Sequence, residues 1–142
     1  MNRIFQQPNL KNVQRILHSH NLPTSDLDDM DLQHFFGCGS NSNPRGIIGI
    51  ELFESEALVR SLAVDLEVQG QGCGSALYEK LEQHCREIGV KTLYLLTETA
   101  EEFFGKRGFD SIDRKDASER IRQTKEFSSL CPDSAILMCK TI

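Results

Sequence analysis

The feature that most constrains the fold is a glycine-rich connection between a strand-like segment and a helix-like one. Residues 62–84 read LAVDLEVQGQGCGSALYEKLEQH, and Gly70, Gly72 and Gly74 fall within five positions. Beyond the glycines, apolar residues recur at helical spacing, at Leu77, Leu81, Cys85 and Ile88. Because the first N–H groups of a helix have no partner inside it, bare backbone here lets an anion approach them closely. The stretch therefore predicts an α/β fold with an anion site at a helix N-terminus.

Two phosphate-binding motifs of known spacing do not fit these glycines. A dinucleotide fingerprint would need its third glycine where Leu77 stands, and a Walker loop would need a lysine that the stretch lacks. A purely structural role, in which the glycines serve a tight turn and close helix packing, stays open as the alternative.

The segment before the glycines has the pattern of an antiparallel meander. HFFGCG and GIIGIELF flank the turn-rich SNSNP as the strands of a hairpin would, and a third strand follows at residues 57–64. Leu10, Val13 and Leu17 recur at helical spacing and predict a first helix after Pro8. TSDLDDM offers capping residues for a brief second helix.

The segment after the glycines alternates helix and strand. Gly89 is expected to end the long helix and VKTLYLLT to form the next strand, so residues 57–97 should hold two parallel strands joined by a right-handed crossover. Thr99 stands three residues before Glu102, the spacing of a capping box, and predicts a further helix. A polar helix from about residue 116 to residue 127, a CPDS turn and a last strand, AILMC, follow.

Size and composition narrow the kinds of function. With 142 residues, of which 39% are hydrophobic, the chain suits one globular domain over residues 1–142. A formal charge of −5 argues against a nucleic-acid surface, and no stretch has the length of a membrane span or the pattern of a secretory signal. We therefore expect a cytoplasmic protein with a small-molecule partner and without a membrane or nucleic-acid partner; a homodimer stays open.

The cysteines show neither a disulfide nor a metal pattern. Their number is odd, no two form a C-x-x-C pair, and no histidine stands nearby at metal spacing. They are Cys38, Cys73, Cys85, Cys131 and Cys139. We expect reduced, mostly buried thiols and no bound metal.

The glycine-rich stretch also carries a family resemblance. Gln69, Gly72 and Gly74 match the Q/R-x-x-G-x-G/A signature of the GCN5-related N-acetyltransferases, the GNAT family, and AEEFFGKRGF resembles the family's later helix that ends in a G-F pair. LPTSDLDDMDLQHFFG and EFSSLCPDSA resemble the beginning and the ending of acetyltransferases encoded with arsenic-resistance genes. The chain is also similar to the acetyltransferase domain of N-acetylglutamate synthase.

The resemblance implies the GNAT fold, an α/β architecture whose central mixed, mostly antiparallel sheet is flanked by helices and has a parallel strand pair at the cofactor cleft. It implies an enzyme that moves an acetyl group from acetyl-coenzyme A to the amine of a small molecule, either an amino acid or an amino-acid-like compound, arsenicals included. The alternative is a catalytically silent module that binds acyl-coenzyme A or arsenite. Arsenite would need about three converging thiolates, which no local spacing supports.

By the same resemblance, the coenzyme lies along one strand and over the glycine-rich loop. The pantetheine arm would follow the main chain of Leu62, Ala63 and Val64. The pyrophosphate would lie where N–H groups and the helix dipole favour an anion, over Gln69, Gly70, Gln71, Gly72, Cys73, Gly74 and Ser75. Phe103 and Phe104 face different directions on one helix and should serve as core and cofactor wall together.

The sequence offers two residues for the acceptor. Arg60 interrupts an apolar strand, so it either points to a solvated face or binds an acceptor carboxylate. Ser61 is its neighbour, and strand alternation would let at most one of the two face the acetyl group.

The catalytic residues depart from the commonest family pattern. Phe104 stands where many members carry a tyrosine acid, and Leu96 stands near the position of a glutamate base. Glu98, Cys131 and Ser134 remain as candidates, although a helix start or an ordinary turn accounts for them as well. Positioning and electrostatics would then carry most of the rate.

Overall fold

The fold is centred on one mixed sheet. The computed structural model describes residues 3–22, 24–25, 27, 32–125, 127–128 and 134–142. Within these residues the chain forms seven strands in the order β1-β2-β3-β4-β5-β7-β6. The strands are β1 (Ile4–Gln6), β2 (Phe35–Ser40), β3 (Asn43–Phe53), β4 (Glu56–Val64), β5 (Thr92–Thr97), β6 (Asp110–Ile112) and β7 (Ile136–Thr141). Neighbouring strands are antiparallel except β4 and β5, which are parallel.

Helices cover both faces of the sheet. The helices in the described residues are α1 (Leu10–Ser19), α2 (Cys73–Glu87), α3 (Glu101–Gly105) and α4 (Glu119–Arg122). The buried side of α1 packs with Phe35, Ile47 and Ala63, whereas that of α2 packs with Phe36 and Ile48 on the opposite face. Because successive strand residues face opposite sides, this alternation of apolar neighbours builds a core on each face.

The predicted meander and crossover are confirmed. β2, β3 and β4 pair in sequence as antiparallel neighbours, and α2 connects the parallel strands β4 and β5. Gly89 has a φ of 90°, the left-handed conformation expected just beyond a helix end. The apolar stripe of α2 is buried at Leu77, Leu81 and Cys85, but Ile88 is 39% exposed and does not belong to it.

A bulge in β4 and a short parallel pairing open the sheet. Ile47 pairs with Ala63 and Gly49 with Arg60, so two residues of β4, Ser61 and Leu62, oppose one residue of β3. The pairing of β4 with β5 joins residues 56–58 to residues 92–94. Both strands run on beyond that point, to Val64 and Thr97. Their carboxyl ends therefore diverge and leave a cleft in the sheet.

Several local predictions need correction. The N-cap residue of α3 is Ala100 and not Thr99; no side chain in the described residues caps the helix, and Thr97 Oγ1 accepts a hydrogen bond of 2.9 Å from Ala100 N. The long polar helix predicted from about residue 116 is broken up: a 3-10 turn at Arg114–Asp116 precedes the single turn α4, which Ser118 caps, and residues 125, 127 and 128 are helical again. The edge strands β1 and β6 were not expected. Most of TSDLDDM lies outside the described residues.

Candidate functional site

A cavity of about 810 Å³ occupies the cleft between the diverging strands. Its walls come from residues 59–62 of β4, from residues 95–97 of β5, and from the segment that leads into α3. The end of α1 and the start of β7 close it with His20, Asn21, Leu22 and Ala135. The carboxyl ends of parallel strands are where α/β folds place their ligands, so this is the first candidate for a binding site.

The glycine-rich loop forms an anion cradle at the start of α2. Gly70 and Gly72 have φ values of 82° and 88°, a conformation that residues with a Cβ rarely adopt. The first bond of the helix runs from Ala76 N to Gly72 O. The N–H groups of Cys73, Gly74 and Ser75 therefore have no acceptor within the helix, and the helix dipole adds positive potential there. A Cβ on Gly70 would meet no atom within 4 Å, so a ligand can come close to this backbone.

Hydrogen bonds brace the loop from its strand side. Arg45 donates to Asp65 at 3.0 Å and to Glu67 at 2.8 Å, and Gln69 donates its side-chain amide to Val64 O at 3.0 Å. The main-chain N–H of Gln71 donates to Val68 O at 3.3 Å, so it does not face an anion as the sequence had suggested. Gln69 and Gln71 thus contribute to the shape of the loop.

Close packing fixes the first turn of α2 against the sheet. A Cβ on Gly46 would lie 2.7 Å from Cys73 Sγ, so only glycine admits the helix at this distance. Cys38 pairs directly with Gly46 across β2 and β3. Burial, with a smaller contribution from Cys38, raises the pKa of Cys73 to about 12. The Cys73 thiol is therefore protonated at neutral pH and is not a nucleophile.

Phe103 and Phe104 do face different directions. Phe104 is 4% exposed, contacts the rings of Tyr78 and Phe109, and lines the cavity. Phe103 lies against the first turn of α2, where a Cβ on Gly74 would be 3.5 Å from its ring. Arg107 stacks on that ring and was not singled out in the sequence, since one arginine in GKRGF has no distinguishing pattern.

Arg60 and Ser61 lie together, which corrects the expectation from strand alternation. The side chain of Arg60 is fully buried and ion-paired, with Nη1 3.1 Å from Glu51 Oε1, so it is not on a solvated face. Its Nε donates to Ser61 Oγ at 2.9 Å. The bulge and the φ of 64° at Ser61 turn these neighbours toward each other, and both line the cavity.

The catalytic candidates are brought together in part. Ser134 Oγ donates to Glu98 Oε1 at 3.5 Å, and Glu98 lines the cavity. Cys131 lies outside the described residues. Leu96 and Phe104, where the family resemblance would place the base and the acid, also line the cavity, so apolar side chains stand at both of these positions.

The described ranges contain neither a cluster of metal ligands nor a membrane-spanning helix. In that part of the chain no three His, Cys, Asp or Glu side chains gather where they could hold a metal ion. None of its helices is both long and apolar enough to cross a membrane.

Comparison with known families defines the class of protein. The sequence model of the acetyltransferase (GNAT) family matches residues 4–109. The chain belongs to the GNAT family, whose acetyl donor is acetyl-coenzyme A. The unpaired N–H groups and left-handed glycines at the start of α2 suit the anionic diphosphate of that donor.

Individual relatives match the chain over different lengths. The amino-acid acetyltransferase of Pseudomonas syringae pv. syringae is 42% identical over 55 residues, which are 37% of this chain and 13% of that protein. The chain therefore spans a small part of that relative. The protein YxbD of Bacillus subtilis (strain 168) is 32% identical over 108 residues, which are 70% of this chain and 67% of that protein.

A solved structure confirms the predicted GNAT fold. N-acetylglutamate synthase from Neisseria gonorrhoeae, complexed with coenzyme A and N-acetyl-glutamate, has a TM-score of 0.80 with this chain at 18% identity. The match covers 99% of this chain and 35% of that one. At this identity the likeness concerns the fold, which has the same mixed sheet with one parallel pair between flanking helices.

Proposed function

We propose that the chain is an acetyl-coenzyme A-dependent N-acetyltransferase whose acceptor is a small amine that carries a carboxylate. This class comprises amino acids and amino-acid-like compounds, arsenicals included. The observation that carries the proposal is that Arg60, whose side chain is buried against Glu51, is among the residues that line the cavity where β4 and β5 diverge. We further propose a single domain over residues 1–142 that works in the cytoplasm.

The donor is proposed to bind along β4 and at the start of α2. The main chain of Leu62, Ala63 and Val64 borders the cleft beyond the last pair between β4 and β5, so its amide edge can bond an amide-rich arm. The first-turn N–H groups of α2 receive the diphosphate. When bound, acetyl-coenzyme A supplies an activated acetyl thioester.

The acceptor is proposed to bind with its carboxylate at Arg60. Glu51 and Ser61 hold the guanidinium in one orientation, which lowers the entropy that binding would cost. A guanidinium grips a carboxylate through two parallel hydrogen bonds. The similarity to an amino-acid acetyltransferase supports an acceptor of this chemistry.

Proton transfer is proposed to use groups other than the family's usual pair. Leu96 and Phe104 can neither accept nor donate a proton. Glu98, which lines the cavity, would take the proton that the amine loses, and Ser134 would give its hydroxyl proton to the departing thiolate while Glu98 passes the accepted proton on to Ser134 Oγ. Backbone N–H groups of β4 polarise the carbonyl oxygen of the acetyl thioester. The larger share of the rate acceleration comes from holding the amine and the thioester next to each other in the reactive orientation.

The test is release of free thiol from acetyl-coenzyme A with a panel of acceptors. Amino acids, polyamines and organoarsenical amino acids are each offered at the same concentration. We expect thiol release with members of the first or third group and acetylation of the amine by mass spectrometry. Binding of coenzyme A without thiol release from any amine would instead indicate a catalytically silent binding module.

A further inference from the structure

Arg107 holds its guanidinium beside the first turn of α2 through contacts with two elements. Its Nη1 donates to Phe103 O at 2.8 Å, and its Nη2 donates to Ser75 Oγ. The guanidinium carbon lies 3.6 Å from the centre of the Phe103 ring. A guanidinium that is stacked on a ring and held by two hydrogen bonds has lost most of its rotamer freedom before any ligand binds. The structure thus presents a preorganised cation at this point.

The charge of the neighbouring loop makes this cation significant. Residues 69–75, QGQGCGS, contain no lysine or arginine. The attraction they exert on an anion therefore comes from backbone dipoles alone. Just before them, Asp65 and Glu67 carry negative charge, and one guanidinium, that of Arg45, is bonded to both. Two carboxylates against one guanidinium leave a negative balance, which opposes an anionic ligand. Arg107 would offset it.

We propose that Arg107 binds the diphosphate of acetyl-coenzyme A and supplies the formal positive charge that the glycine-rich loop does not. The inference rests on the proposed function, which brings that diphosphate to the loop. Ser75 is the third residue of α2, so a group bonded to its hydroxyl lies next to the unpaired N–H groups of the first turn. Charge-assisted bonds from a guanidinium to phosphate are stronger than those from neutral donors.

A structural role is the competing explanation, since Arg107 also ties the end of α3 to α2. The two roles differ in their dependence on the ligand. A diphosphate contact matters for coenzyme A and for dephospho-coenzyme A, which keeps the diphosphate, but not for S-acetylpantetheine, which has no phosphate. A structural tie would matter for all three ligands alike. Lys106 offers a matched control, because it is adjacent, equally charged, 71% exposed and paired with Glu102.

The experiment measures dissociation constants of the three ligands by calorimetry for the wild type, Arg107→Gln, Arg107→Lys and Lys106→Gln. We expect Arg107→Gln to weaken coenzyme A and dephospho-coenzyme A by at least tenfold each and to leave S-acetylpantetheine within twofold. Arg107→Lys should recover part of the loss, because it keeps the charge without the planar stack. Lys106→Gln should bind all three ligands as the wild type does.

Three results would overturn the proposal. Equal losses for all three ligands, or none, would leave Arg107 as a tie between α3 and α2. A loss for coenzyme A alone would assign Arg107 to the 3′-phosphate. If the folded wild type binds none of the ligands, the proposed function fails as well. In the other results the wild type still binds coenzyme A, so only the role of Arg107 fails.

Discussion

The Nε of Arg60 donates a hydrogen bond of 2.9 Å to the hydroxyl of Ser61, its neighbour on the same strand. Adjacent strand residues normally face opposite sides of a sheet, so this bond requires the bulge that sets Ser61 and Leu62 against one residue of β3. The same bulge lies beyond Leu58, the last residue of β4 that pairs with β5. It therefore contributes to the shape of the cleft and lets the buried guanidinium of Arg60 bond Ser61.

The glycine-rich loop leads to a prediction about coenzyme binding. Gly72 and Gly89 adjoin opposite ends of α2 with φ values of 88° and 90°, so Gly72→Val and Gly89→Val should bring similar strain, on the order of 1 to 3 kcal/mol each. Only Gly72 borders the proposed diphosphate site. We expect calorimetry to show coenzyme A affinity reduced by at least tenfold in Gly72→Val, about 1.4 kcal/mol, and unchanged in Gly89→Val. Equal affinity in the two folded variants would remove the loop from the binding site.

Glu82 should make the stability of the fold sensitive to acid. Its carboxylate accepts bonds from Tyr78 at 2.6 Å, Lys140 at 2.5 Å and Arg86 at 3.2 Å. Burial by itself would raise the pKa of Glu82, but the bonds from Lys140 and Tyr78, then Arg86, outweigh it and hold the pKa below its usual value. The stabilisation is therefore present above the pKa of the unfolded chain and is lost as pH falls through the lower folded value.

Urea unfolding of Glu82→Gln measures this contribution. At pH 7 the free energy of unfolding of the variant should be lower by about 1.5 to 3 kcal/mol, which is the usual contribution of hydrogen bonds to a charged group. Its stability should also fall less steeply than that of the wild type between about pH 5 and pH 3. Glu79→Gln, an exposed position on the same helix, is the control and should change little. A variant with the wild-type pH profile would show that Glu82 makes no net contribution.

The buried thiols should resist alkylation in the folded chain. Burial raises the pKa of both Cys73 and Cys85 to about 12, so almost no thiolate forms at pH 8. Iodoacetamide at pH 8 should therefore label neither residue in the native protein and both after denaturation, as peptide mass spectrometry would show. Rapid native labelling of Cys73 would contradict its burial and would strengthen the case for arsenite binding.

Much of the fold follows from local sequence patterns. The alternation around SNSNP and the glycines at 70, 72 and 74 predict the hairpin and the anion cradle, because turn residues and apolar spacing act over short distances. The edge strands β1 and β6 have three residues each. Three residues are too few to show the alternation of apolar and polar side chains that marks a strand. Ala100 is the N-cap of α3 in place of Thr99 because the start of a short helix depends on where the preceding strand ends.

The site was less predictable, since its key contacts join distant segments. The bulge at Ser61 has no signal in the sequence, as serine rarely adopts a positive φ. The partner of Arg60 is Glu51, on the neighbouring strand, and Arg107 meets Ser75 across 32 positions. Such pairs depend on the assembled sheet and helices, so a single sequence gives no spacing rule for them.

The proposed contact between the guanidinium of Arg60 and the carboxylate of the acceptor decides the substrate class. It is tested most directly by kcat/KM for an amino acid and for its decarboxylated amine, each measured with the wild type and with Arg60→Gln. Arg120→Gln is the control, because Arg120 forms an exposed ion pair with Glu54. If Arg60→Gln is poorly folded, Glu51→Gln is added so that the carboxylate that was bonded to Arg60 is removed as well. We predict that the wild type and Arg120→Gln prefer the amino acid by at least tenfold and that the preference disappears in Arg60→Gln, mostly through the acceptor KM. An equal loss for both acceptors in Arg60→Gln, or a wild type that acetylates both equally well, would contradict the claim.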